Sequence, residues 1–127
     1  MDVLIRYGFS IEEIKNMMDT NDSIDTVMDK DIYTLIEILE KEGCSERQIK
    51  NIFLCNPFYL TRKVYDVINL IKKLYEIGCS HLNLLFDSNP YLLNLQEEEI
   101  EGFVNKQIHE GHSKEEVLDI IEYRPFF

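Results

Sequence analysis

Apolar residues keep a helical beat along the whole chain. Ile32, Leu35, Ile36 and Leu39 fall at i, i+3, i+4 and i+7, and Val64, Val67, Ile68, Ile71, Leu74 and Tyr75 hold that spacing over three turns. Ile100, Phe103, Val104 and Ile108 repeat it, with polar Gln107 interrupting the face. A shorter apolar set follows each stretch: Ile49, Ile52 and Phe53, then Leu84, Leu85 and Phe86, then Val117, Ile120 and Ile121. Ile14, Met17 and Met18 match them near the start. No segment sustains alternation of period two, so the pattern predicts an all-α chain without a sheet.

The residues between these faces recur as well. Gly8-Phe9-Ser10, Gly43-Cys44-Ser45, Gly78-Cys79-Ser80 and Gly111-His112-Ser113 share Gly-x-Ser at spacings of 35, 35 and 33. Pro57, Pro90 and Pro125 lie 14, 12 and 14 residues after their glycines, and Asp22 takes the proline position in the first copy. Glycine after an apolar helical run suits the left-handed C′ position, where other residues are strained. Serine two residues on can cap the next helix. Ser10…Glu13, Ser45…Gln48 and Ser113…Glu116 extend this to a capping box, whereas Ser80 is followed by Asn83, a weaker match. Proline closes the unit by pushing Asn56, Asn89 and Arg124 out of helical geometry. Asn94…Glu97 reads as a further helix start.

Each unit is therefore a longer helix, a tight Gly-x-Ser turn, a shorter helix and a proline-started bend with bulky apolar residues. Those residues are Phe58-Tyr59-Leu60, Tyr91-Leu92-Leu93 and Phe126-Phe127. Such units bury their faces only against neighbours, which predicts a curved α-solenoid of about four helical hairpins. At 127 residues there is room for one domain, divided at approximately 1–35, 36–70, 71–103 and a partial 104–127. The bare apolar end Pro125-Phe126-Phe127 is expected either to fold back on the last hairpin or to meet another chain, a route to self-association.

The stretches Leu39–Leu60 (LEKEGCSERQIKNIFLCNPFYL) and Leu74–Leu93 (LYEIGCSHLNLLFDSNPYLL) resemble the mitochondrial transcription termination factor repeat. The resemblance implies a right-handed-type stack of triangular helical units whose concave face binds nucleic acid in the organelle proteins. It implies no catalytic residue and no cofactor. The chain departs from that family in being short and acidic, without an Arg-rich targeting segment, which fits a bacterial or phage relative.

Charge complicates the implied function. Twenty-four Asp and Glu against 13 Lys and Arg give a net charge of -11, which opposes whole-surface contact with nucleic acid or an anionic membrane. The imbalance is uneven, with the second unit neutral. Arg47, Lys50, Arg62, Lys63, Lys72 and Lys73 face only Asp66 within 47–73, with Phe58, Tyr59 and Tyr65 interleaved, the make-up of a small phosphate-contacting, base-stacking patch. The same residues also suit a solvated face with cross-repeat ion pairs. Glu97, Glu98, Glu99 and Glu101 sit where a helix begins, favouring its dipole or offering a docking surface to a basic partner.

Candidate chemistry is sparse. In His109-Glu110-Gly111-His112 the histidines are three apart and straddle a helix-ending glycine, so a zinc-protease reading fails. Cys44, Cys55 and Cys79 have no ligand spacing and read as free thiols of a reducing cytoplasm. No secretory signal and no membrane-spanning run is visible. The expectation is a non-enzymatic, cytoplasmic interaction module without metal or cofactor, whose partner is a protein. The alternative is a nucleic-acid-binding transcription regulator that uses the 47–73 patch.

Overall fold

The computed structural model describes residues 2–123. Pro125, Phe126 and Phe127, read above as the end of the fourth unit, lie outside them. Helices α1 (Asp2–Tyr7) and α2 (Ile11–Thr20) lead into a 3-10 turn at Asp22–Thr26. The same three parts follow as α3 (Asp29–Lys41), α4 (Glu46–Cys55) and Pro57–Thr61, then as α5 (Val64–Glu76), α6 (Leu82–Ser88) and Pro90–Asn94. Helices α7 (Glu97–His109) and α8 (Lys114–Tyr123) begin the fourth. No strand occurs among the described residues. The proline-started bend is thus a third structural element, and it forms in the first unit from Asp22 without proline.

Like elements stack on like. The first helices pack in the order α1, α3, α5, α7; the second helices as α2, α4, α6; and the 3-10 turns against one another. Each of the first three units has three sides, two helices and a 3-10 turn, so that it reads as a triangle down the stack with the core between its sides. Phe9, Phe53 and Tyr59 run through it, with ring centroids 5.7 and 5.6 Å apart. The boundaries at 35/36, 70/71 and 103/104 fall within α3, α5 and α7, because that division counts from the chain start, where α1 is much shorter than its counterparts in the later units.

The Gly-x-Ser turns explain themselves locally. Gly8, Gly43, Gly78 and Gly111 all have φ between 93° and 113°. The residue after each glycine bonds back across the helix end: Cys44 N–H to Leu39 O at 3.0 Å and Cys79 N–H to Leu74 O at 2.9 Å. That placement turns Phe9, Cys44 and Cys79 into the core, where they are 3%, 7% and 3% exposed. Ser10, Ser45 and Ser113 each close a reciprocal capping box, the Ser10 N–H donating to Glu13 Oε1 at 2.8 Å and the Glu13 N–H to Ser10 Oγ at 3.0 Å.

Two sequence expectations are corrected. Ser80 does not cap α6: the cap position is His81, held left-handed at φ 54°, ψ 51° and making no side-chain cap bond, and the helix after it has seven residues. Asn94 does not start α7 either. Its N-cap is Gln96, whose N–H donates to Glu99 Oε1 at 3.0 Å, while Asn94 ends the 3-10 turn and accepts a bond from Asn56.

Candidate functional site

The six cations of the 47–73 segment come from different sides of the triangle. Arg47 and Lys50 lie in the first turns of α4, on the side formed by the second helices. Arg62 and Lys63 occupy the corner between the second 3-10 turn and α5, and Lys72 and Lys73 lie near the other end of α5. Nine residues of helix separate Lys63 from Lys72, about 13 Å of rise. The structure therefore pairs them by twos and does not gather all six.

Three of the six are engaged inside the stack. Lys50 Nζ donates to Gly8 O at 3.0 Å and sits 5.5 Å from the Phe9 ring centroid, joining the second unit to the first. Arg62 Nη2 donates to Leu95 O at 2.6 Å, which ties the second unit to the third. Burial depresses its guanidinium, a trend that Asp66 and then Glu99 oppose. Lys73 Nζ lies 3.0 Å from Glu76 and 3.9 Å from Glu101 of α7, linking the third unit to the fourth. Arg47, Lys63 and Lys72 are exposed.

The aromatic part of the patch also divides. Tyr59 is fully buried and its hydroxyl donates to Leu35 O at 2.8 Å, so it is a core residue and no stacking platform. Phe58 and Tyr65 are 46% and 73% exposed. The repeat register held this distinction: the residue after each proline, Phe58 or Tyr91, faces out, and the next one, Tyr59 or Leu92, faces in.

Of the acids at the start of α7, Glu99 serves its own helix through the capping box and Glu101 approaches Lys73. Glu97 and Glu98 line a hollow of about 120 Å³ between α5 and α7, beside Tyr65, Asp66 and Gln96. His109 ends α7 and His112 lies 3.5 Å from Glu116, with no third donor. No cluster of three or more His, Cys, Asp or Glu able to hold a metal occurs among the described residues. Cys44 and Cys79 are buried, and burial pushes each thiol up to about 12, helped by Asp87 and Glu42 at the first and Glu122 at the second. Cys55 is exposed. No described helix is long and apolar enough to cross a membrane.

One recurring feature escaped the sequence reading, which took the residue before proline only as a helix stop. Asn21 Nδ2 donates to Pro57 O at 3.2 Å and Thr61 Oγ1 at 3.0 Å. Asn56 Nδ2 donates to Pro90 O at 3.0 Å and Asn94 Oδ1 at 2.9 Å. Each asparagine clasps the 3-10 turn of the following unit. Asn56 is fully buried and Asn21 is 8% exposed. Their recurrence one unit apart was the available signal.

A family model described as mTERF matches residues 1–126. No curated protein and no solved structure matches the chain.

Proposed function

The chain belongs to the mTERF family, a family of helical-repeat proteins, and from that footing we propose that it is a non-enzymatic binding module for a macromolecular partner, a protein with a basic contact face. The observation that carries this reading is the surplus of exposed acids along the stack, 24 Asp and Glu against 13 Lys and Arg. Lys50, Arg62 and Lys73 hold neighbouring units together. Acids such as Glu12, Glu37, Glu40, Glu98 and Glu115 stand exposed along the helices, and no Asp or Glu lies in the core. A surface of that kind attracts cations and lifts association rates with basic partners.

Family membership favours a second reading, nucleic-acid binding, with Arg47, Lys63 and Lys72 as the exposed contacts. Three cations spread over two sides would neutralise few phosphates, so such binding would be weak and lost steeply with salt. Anisotropy titrations of a labelled Lys/Arg-rich peptide and of short DNA and RNA oligonucleotides, at about 50 and about 200 mM salt, separate the two. The expected result is peptide binding that weakens with salt and falls in the Glu97→Lys, Glu98→Lys variant. Oligonucleotide binding at the lower salt that Arg47→Glu with Lys72→Glu abolishes, without peptide binding, overturns the protein-partner reading.

A further inference from the structure

Helices α5 and α7 meet along flanks that the helical period defines. On α5 the flank is Asp66, Asn69, Lys73 and Glu76, and on α7 it is Glu97, Glu101, Val104 and Ile108. Lys73 Nζ, 3.9 Å from Glu101, sets the pairing at the middle of the seam. At one end Asp66, Glu97 and Glu98 line the hollow of about 120 Å³ beside Tyr65, which is 73% exposed. None of these three carboxylates forms an ion pair with a described Lys or Arg. At the other end lies a second hollow, of about 150 Å³, with an apolar wall of Ile77, Val104, Ile108, Val117 and Leu118 that one acid and one base complete. Ile108 is 41% exposed there. Eleven residues of α7 separate Glu97 from Ile108, about 16 Å of rise. The preceding seam, between α3 and α5, is built differently. Lys30 and Lys63 stand there in the places of Tyr65 and Gln96. Glu42 and Tyr75 take the places of Ile77 and Ile108, and they hydrogen-bond to each other across the seam.

We propose that the α5–α7 seam is a docking groove for an α-helix of the basic partner, which seats a Lys or Arg in the acidic hollow and a leucine-sized side chain, eleven residues along, in the apolar one. This rests on the reading of the chain as a module for a basic protein, and it names where that protein docks. Charge and shape select the occupant. Carboxylates around a small polar hollow suit a single cation, and the Tyr65 ring adds a face on which it can lie. The apolar hollow has room for one branched aliphatic side chain. Residues eleven apart share one face of a helix, so a partner helix presents both anchors at the span of the seam. Apolar and charged anchors on one helix face are the helix-in-groove mode of recognition. A nucleic acid fits poorly, because its phosphates would meet the three carboxylates.

The test is the anisotropy of a labelled helical peptide of about 18 residues that carries lysine and leucine eleven apart, set against the same peptide with alanine for the leucine. The leucine peptide should bind the parent chain roughly tenfold more tightly than the alanine peptide, and Ile108→Asn should remove that difference. Moving the leucine two residues along the peptide turns it off the shared face, and that peptide should bind like the alanine one. Glu97→Gln with Glu98→Gln should weaken both original peptides alike and lessen their salt dependence between about 50 and about 200 mM. Equal affinity of the leucine and alanine peptides, with Ile108→Asn changing neither, overturns the groove and leaves the basic-partner reading standing. Failure of either to bind at about 50 mM salt removes that reading, and the groove with it. Self-association of the parent chain that Ile108→Asn abolishes also overturns the proposal, since a second copy then fills the groove.

Discussion

Asparagine 56 shows how much one side chain can carry in a repeat protein. Its amide bonds two groups of the following unit from a fully buried position, so truncation removes both bonds and leaves their acceptors dry. Asn56→Ala is expected to cost about 2–3 kcal/mol in urea unfolding, more than Asn51→Ala, whose amide contacts Asp87 in a part-buried setting. Acid acts on different residues. The Ser10 N–H bond holds the Glu13 carboxyl below its ordinary 4.5, and the Ser113 N–H, then His112, does the same for Glu116. Both groups are lowered by folding, so their stabilisation is complete above about pH 4.5 and disappears as pH falls through the depressed values. Gln48 fills the same role in the second unit and has no proton to gain. Glu13→Gln with Glu116→Gln should therefore flatten the fall of the urea midpoint below pH 4.5, read as the difference from the parent chain.

Among the elements, the turns were legible because their causes are local. Gly78 has φ 106° and a Cβ there would stand 3.1 Å from Leu118 Cδ1 of α8; Gly102, inside α7, has nothing within 4 Å. Gly78→Val is expected to lose roughly 1–3 kcal/mol from backbone strain alone, whereas Gly102→Val should be within about 0.5 kcal/mol of the parent. Equal melting temperatures would count against the turn assignment. Capping was legible where serine was followed by Glu or Gln, and failed at Ser80, where Asn83 is one methylene shorter than those residues and the chain starts α6 one residue later through left-handed His81. His81→Gly should raise stability by about 0.5–1 kcal/mol, measured by urea unfolding, because glycine adopts that backbone without penalty. The candidate patch was less legible. Composition placed six cations in one segment, but a helix rotates neighbours onto different faces and the stack recruits some of them across 28 to 42 residues. Nothing in the local sequence marks Lys50 for Gly8 or Arg62 for Leu95.

At the scale of the whole molecule, each unit touches only the units beside it, so stability depends on nearest-neighbour contacts. The second and third units have a neighbour on both sides, and they hold the fully buried Phe53, Tyr59 and Phe86. Native-state hydrogen exchange should accordingly be slowest in α4 and α5 and fastest in α8, which packs against α7. Exchange in α8 as slow as in α4 would mean that unfolding is all-or-none along the stack.

The turn residues Cys44 and Cys79 give this architecture an internal clock. They hold the same place in adjacent units, both buried, while Cys55 on α4 is open to solvent. A thiol reagent applied to the native protein modifies Cys55 at once, and reaches the other two only through moments when their turns come apart. After Cys55→Ser, the two remaining modification rates read the opening of the second and third units one by one. A ligand gripping a single unit would slow one of those rates and leave the other running, so its footprint could be timed without a tag.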